Sequence, residues 1–179
     1  MNQPVSLTSS SLPAAPIAAL PVAWIAASWH ADVVARAYEG FTAEWARLSA
    51  QGATLAPVQH FTVRGAFEIP LLAQRLARSG RFAAVVACAL VVDGGIYRHD
   101  FVAPAVVDAL MRVQLDSGVP VFSVVLTPKD YHEHATHRDF FSRHFVEKGA
   151  EAARACHQTL AVHAELDAAA DAAVGLTTA

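Results

Sequence analysis

Charged residues make up only 16% of this chain, and its 13 lysines and arginines nowhere form a basic run. With a net charge of −3, the electrostatic footprint of a nucleic-acid binder is missing. Cysteine is nearly absent: Cys88 and Cys156 stand alone, with no Cys-x-x-Cys spacing, and are expected to be reduced core residues of a cytoplasmic protein rather than a disulfide. No apolar stretch reaches the roughly 18 residues of a membrane-spanning helix without a Pro, Gly or charge intervening. No G-x-G-x-x-G follows the first apolar run, so the dinucleotide fingerprint is missing as well. What the chain has in excess is apolar surface, 54% hydrophobic residues and a mean hydropathy of +0.34, which is assigned here to a large subunit interface.

The organising stretch is Ala83 to Val102. A ten-residue apolar run, Ala83 to Val92, ends at Asp93-Gly94-Gly95 and reads as a strand buried on both faces. The glycine pair permits a sharp turn and close approach to a ligand. In open α/β sheets ligands sit beyond the carboxyl ends of strands, which places a candidate site on this turn with Tyr97, Arg98, His99 and Asp100.

Taken in order, Met1 to Pro21 is rich in Ser, Ala and Pro without a basic start, and residues 1–21 are read as a flexible or interface-docked arm rather than a secretory signal. Val22 to Ser28 is a first strand, and Asp32 is placed to cap a helix that Gly52 stops. Pro57 interrupts Thr54 to Val63 and predicts an edge strand. Ala66 to Arg78 is a helix with Ile69, Leu72 and Leu76 inward. After the central strand, Asp100 is placed to cap a helix whose apolar stripe runs from Phe101 to Val113, and Val121 to Leu126 is the fourth strand. Thr127 to His144 reads as a short helix and loop, followed by a last helix from about Phe145 to His163 and a frayed tail over 164–179. One domain over 22–163 results, an α/β three-layer sandwich with a four-stranded parallel sheet and flavodoxin-like winding.

Trp29, Arg64 to Glu68 and Asp93 to Asp100 follow successive strands and therefore fall on one sheet edge. Trp29 offers a flat ring for a heteroaromatic ligand or closes the rim of the core. Glu68 either meets a helix dipole or accepts hydrogen bonds from ligand hydroxyls. The loop histidines His132, His134 and His137 form H-x-H-x-x-H, which is not a defined zinc pattern and has no Cys beside it, so solvated or phosphate-binding roles are preferred to metal.

These residues resemble the lumazine synthase family of riboflavin biosynthesis. The resemblance is carried by Gly65-Ala66-Phe67-Glu68-Ile69-Pro70, Val91-Val92-Asp93-Gly94, Asp100-Phe101-Val102, Gly118-Val119-Pro120-Val121, Val125-Leu126-Thr127 and Lys148-Gly149-Ala150-Glu151-Ala152-Ala153. It implies pentamers with active sites between neighbouring subunits and no metal or organic cofactor, while charge and hydropathy already leave neither nucleic acid nor membrane as an expected partner. The implied reaction condenses 5-amino-6-(D-ribitylamino)uracil with 3,4-dihydroxy-2-butanone 4-phosphate. It also implies that Trp29 stacks on the pyrimidine, that Ala66 and Glu68 hold the ribityl chain with Gly65 and Phe67 beside them, and that Val91 and Val92, next to Asp93, read the uracil edge. Lys148 of a neighbour then lies near the ring carbonyl, Glu151 supports the basic catalyst, and Ser123 replaces an aromatic wall.

The departure from the family pattern is at Ile96-Tyr97-Arg98-His99, where Arg98 occupies the position of the catalytic His and His99 that of an aromatic. Either His99 reaches the site by a changed backbone path, or Arg98 acts as a clamp and the proton travels otherwise, because Arg does not titrate at neutral pH. The swap and the His-rich loop resemble the type II branch, for which decamers of two pentamers are expected, and His137 or Arg138 are the candidates for the phosphate. A low-activity protein that binds or stores lumazine or flavin is the competing expectation, and a metal-dependent enzyme a third.

Overall fold

The computed structural model describes residues 20–93, 99–129, 131 and 135–177. Outside the described residues lie 1–19 of the expected arm, the turn Gly94, Gly95, Ile96, Tyr97 and Arg98, the loop histidines His132 and His134, and residues 178–179.

Four strands form one parallel sheet in the order β2-β1-β3-β4: β1 (Val22–Ala27), β2 (Val58–Val63), β3 (Ala84–Leu90) and β4 (Val121–Leu126). Every residue of the two central strands is buried, which is why both read as unbroken apolar runs. The register pairs Val22 with Val58 and with Ala84, and Val85 with Val121. As Pro57 predicts, β2 is an edge strand; it begins one residue later, and the Pro57 carbonyl accepts a hydrogen bond from the N–H of Val22.

Alternation along the strands divides the core. Val22, Trp24, Ala26, Val86 and Cys88 pack under α1 (Ala31–Ala50) and α4 (Ala135–Thr177), whereas Ala23, Ile25, Val85 and Ala87 pack under α2 (Ile69–Ala77) and α3 (Val102–Ser117). Both cysteines are free and buried, and desolvation raises both thiols, Cys156 to about 12.

Three local expectations are corrected. Asp32 is not the cap of α1: His30 holds that position, and the Asp32 carboxylate instead pairs with Arg138 of α4. Asp100 does not cap α3, because a single 3-10 turn, His99–Phe101, precedes the helix and Phe101 takes the cap position. The last helix begins at Ala135 rather than about Phe145 and runs to Thr177, so the residues from Asp167 continue it rather than fray. Alanine is the best helix former, and Ala168, Ala169, Ala170, Ala172 and Ala173 carry the helix past the body of the domain.

Two glycines let α1 and α4 cross at backbone contact. A Cβ on Gly149 would stand 1.9 Å from the carbonyl oxygen of Ala37, and one on Gly40 2.0 Å from that of Val146. Nearby, Glu44 of α1, whose side chain is 11% exposed, accepts hydrogen bonds from Arg47 at 2.7 and 2.8 Å and from Arg154 of α4 at 3.2 Å. The Arg47 guanidinium first, and Arg154 after it, hold this carboxyl down from an ordinary 4.5 to about 2.

A carboxylate depressed on folding stabilises the fold above its unfolded pKa and loses that contribution as pH falls through the folded one. Thermal stability is therefore expected to decline between pH 4.5 and about 2. Glu44→Gln should flatten that part of the profile; an acid limb as steep in the variant as in the parent would contradict the assignment.

Candidate active site

At the carboxyl edge of the sheet a cavity of about 470 Å³ opens between the ends of β1, β2 and β3. Ala27, Trp29 and His30 line it from β1, Arg64 to Glu68 from β2, Leu90 to Val92 from β3, and His99 with Val102 from the start of α3. A smaller groove of about 230 Å³ lies between α2 and α3.

The turn after β2 is built by its own side chain. The N–H of Gly65 donates to Oε2 of Glu68 at 2.8 Å, closing a single 3-10 turn over Ala66–Glu68 before α2, with Pro70 in its first turn, begins at Ile69. Glu68 thus closes the turn that leads into α2 while lining the cavity. Ser28 Oγ donates to the carbonyl of Arg64 at 3.0 Å and fastens the end of β1 to the same turn.

Trp29 is 64% and Phe67 68% exposed, so two large aromatic surfaces stand at the mouth of the cavity uncovered by their own chain. Leaving such area in water is unfavourable unless something covers it.

His99 turns one ring edge toward Asp93, whose Oδ2 lies 3.9 Å from Nδ1. That is beyond hydrogen-bond length, and the two are an ion pair only when the imidazole is protonated. Among the described residues no group of three or more His, Cys, Asp or Glu is arranged to hold a metal ion.

Of the residues singled out in the sequence, Trp29, Gly65, Ala66, Phe67, Glu68, Val91, Val92 and His99 come together here, with Asp93 beside His99. Five others do not join them within one chain. Ser123 lies on the outer edge of the sheet, its Oγ accepting from the N–H of Val125 at 3.4 Å. Lys148 and Glu151 pair with each other at 2.7 Å one turn apart on α4, and the Lys148 ammonium lowers the Glu151 carboxyl. His137 packs edge-on against Phe141, and Arg138 is held by Asp32. Arg98 lies outside the described residues.

His30 and Leu90 were given no role although they line the cavity, and Arg64 was placed on this edge without one. Arg64 was legible as the first residue after β2. His30 was not, because its place in the cavity depends on a backbone turn that no apolar pattern announces.

A model of the family described as 6,7-dimethyl-8-ribityllumazine synthase matches residues 19–164. The chain belongs to the 6,7-dimethyl-8-ribityllumazine synthase family. A protein of that name from Rhodococcus erythropolis is 62% identical over 137 residues, which cover 76% of this chain and 86% of the relative. Proteins named 6,7-dimethyl-8-ribityllumazine synthase 2 from Pseudomonas syringae pv. tomato and Bradyrhizobium diazoefficiens are each 55% identical over 76% of this chain, covering 79% and 80% of their own lengths. The lumazine synthase match contains all four strands and every residue of the cavity, whereas the last 13 residues of α4 lie beyond it.

Proposed function

We propose that the cavity at the carboxyl edge is where this chain condenses 5-amino-6-(D-ribitylamino)uracil with 3,4-dihydroxy-2-butanone 4-phosphate to 6,7-dimethyl-8-ribityllumazine, with release of phosphate and water. The enzyme serves riboflavin biosynthesis. The observation that carries the assignment of the site is the convergence of Trp29, the Gly65–Glu68 turn, Val91, Val92 and His99 on one cavity, inside the stretch that matches the family.

The roles follow from the chemistry. Trp29 gives the pyrimidine a flat apolar platform, the backbone of Val91 and Val92 offers the uracil edge donors and acceptors, and Ala66 and Glu68 meet the ribityl hydroxyls. Amine attack on the butanone carbonyl gives a carbinolamine that loses water to an imine; phosphate leaves by elimination, and ring closure expels a second water. Each step moves a proton, and none needs a nucleophile from the protein. Holding both substrates together supplies proximity, which lowers such barriers by up to about 7–11 kcal/mol. We assign proton transfer to His99 and stabilisation of the phosphate charge to Arg98.

Lys148 and Glu151 act in a neighbour's cavity, which is consistent with their position outside their own. Phe101, Val107, Met111 and Leu115, between 40% and 74% exposed on or beside α3, supply apolar area for a contact between copies. We assign a homo-oligomer, in the form of a decamer of two pentamers, in the type II branch, working in the cytoplasm. Among the described residues no helix is long and apolar enough to cross a membrane.

Because Trp29 is mostly exposed, Trp29→Ala tests the cavity without disturbing the core. Stacking lost from an aromatic platform corresponds to about a tenfold rise in KM for the ribityl substrate. Thermal stability should stay at the parent value. An unchanged KM would remove the cavity from the reaction.

A further inference from the structure

Trp29 and His30 are neighbours in the chain just beyond the end of β1, and both line the cavity. The backbone explains this. His30 has φ 53° and ψ 43°, and among the described residues it is the only non-glycine with positive φ. That left-handed step turns the chain from the short segment after β1 into α1, and the His30 carbonyl accepts the N–H groups of Val33 and Val34 at 3.0 and 2.9 Å. The main chain of His30 is committed to the helix start, and its side chain is left facing the cavity. Glycine makes such a turn without steric penalty and asparagine populates it readily, so the turn alone does not require an imidazole.

The ring is also held in place. Its edge meets Tyr131, with ring centroids 5.5 Å apart and planes at 70°, and Tyr131 is only 9% exposed. His30 therefore enters from the layer of α1 and α4, whereas His99 enters from the turn that leads into α3 on the other face of the sheet. A neutral imidazole carries one donor and one acceptor, the pair that a hydroxylated chain or a uracil edge can use, and a ring lying on Trp29 has His30 as its next neighbour in the chain.

We infer that His30 contacts the ribityl-bearing ring substrate from the α1 side, opposite His99, and helps to select it. The inference rests on the reading of the cavity given under the proposed function. It separates the two imidazoles by task, with His30 holding the ring substrate and His99 acting where the four-carbon phosphate reacts.

The test is steady-state kinetics of His30→Gly and His30→Asn in the full chain, each substrate varied in turn, with thermal unfolding alongside. Both substitutions keep the left-handed turn. His30→Gly should raise KM for the ribityl substrate about tenfold and His30→Asn less, since its amide still donates and accepts. KM for the phosphate substrate and the thermal midpoint should remain within twofold and a few degrees of the parent. Wild-type KM values for both substrates in His30→Gly, or an equal rise in both, overturns the inference.

Calorimetric titration with the ribityl substrate alone keeps the inference separate from the activity. If the parent forms no lumazine yet binds that substrate, and His30→Gly binds it about tenfold more weakly, the contact stands and the reaction does not. If His30→Gly binds as the parent does, the contact fails whatever the activity.

Discussion

Gly149→Ala is expected to lower the stability of the fold by about 3 kcal/mol, the upper end of the usual cost of forcing extra volume into a packed contact. The Cβ would stand 1.9 Å from the Ala37 carbonyl oxygen and 2.9 Å from the Phe41 nitrogen, both main-chain atoms that no rotamer change can move aside. The helices must separate, and the burial of Phe41, Phe145 and Cys156 between them and the sheet is weakened. For a chain of this size the midpoint of thermal unfolding should fall by roughly 6–12 °C. Gly40→Ala, with its Cβ 2.0 Å from the Val146 oxygen, should behave alike. Since both glycines serve one crossing, the double variant should cost less than the sum of the two. A midpoint within a degree or two of the parent in Gly149→Ala would mean that α1 and α4 are not packed at this contact.

His99→Ala is expected to lower kcat by about a hundredfold, within the range that a positioned general acid or base contributes. KM for both substrates should change by no more than a few fold, because removing a proton carrier chiefly affects the transition state. Arg98→Ala should show the reverse, a raised KM for the phosphate substrate with a smaller change in kcat, if its guanidinium faces the phosphate. Finding the two patterns exchanged would overturn the assignment.

How much of this was legible in the sequence varies with the kind of signal. The central strands announced themselves, because a strand covered on both faces is a plain apolar run, and Pro57 marked the edge strand by removing a donor. The start of α4 was hidden, since Thr127 to His144 mixes polar and aromatic residues and presents no clear apolar period. Its first turns are held instead by long-range contacts such as Arg138 with Asp32 and by rings such as Phe141 against Tyr131. The far end was misread in the opposite sense, its alanines taken as a tail although their propensity favours helix.

The site divides in the same way. Three turns at the ends of three neighbouring strands must share one sheet edge, so Trp29, Glu68 and Val92 could be placed together before any coordinates. His30 could not, because its side chain reaches the cavity through one left-handed residue. Ser123, Arg138, Lys148 and Glu151 entered through resemblance alone, and His137 also as one of the loop histidines. Within one subunit Lys148 and Glu151 satisfy each other and Asp32 satisfies Arg138, so their roles depend on how copies assemble.

The most direct measurement is a continuous absorbance assay of the purified full-length protein with 5-amino-6-(D-ribitylamino)uracil and 3,4-dihydroxy-2-butanone 4-phosphate, following lumazine formation against the spontaneous condensation. A rate far above the spontaneous one, saturating in both substrates, is expected. A rate equal to the spontaneous reaction, with the ribityl substrate still bound, would contradict the enzyme and leave a binding protein in its place.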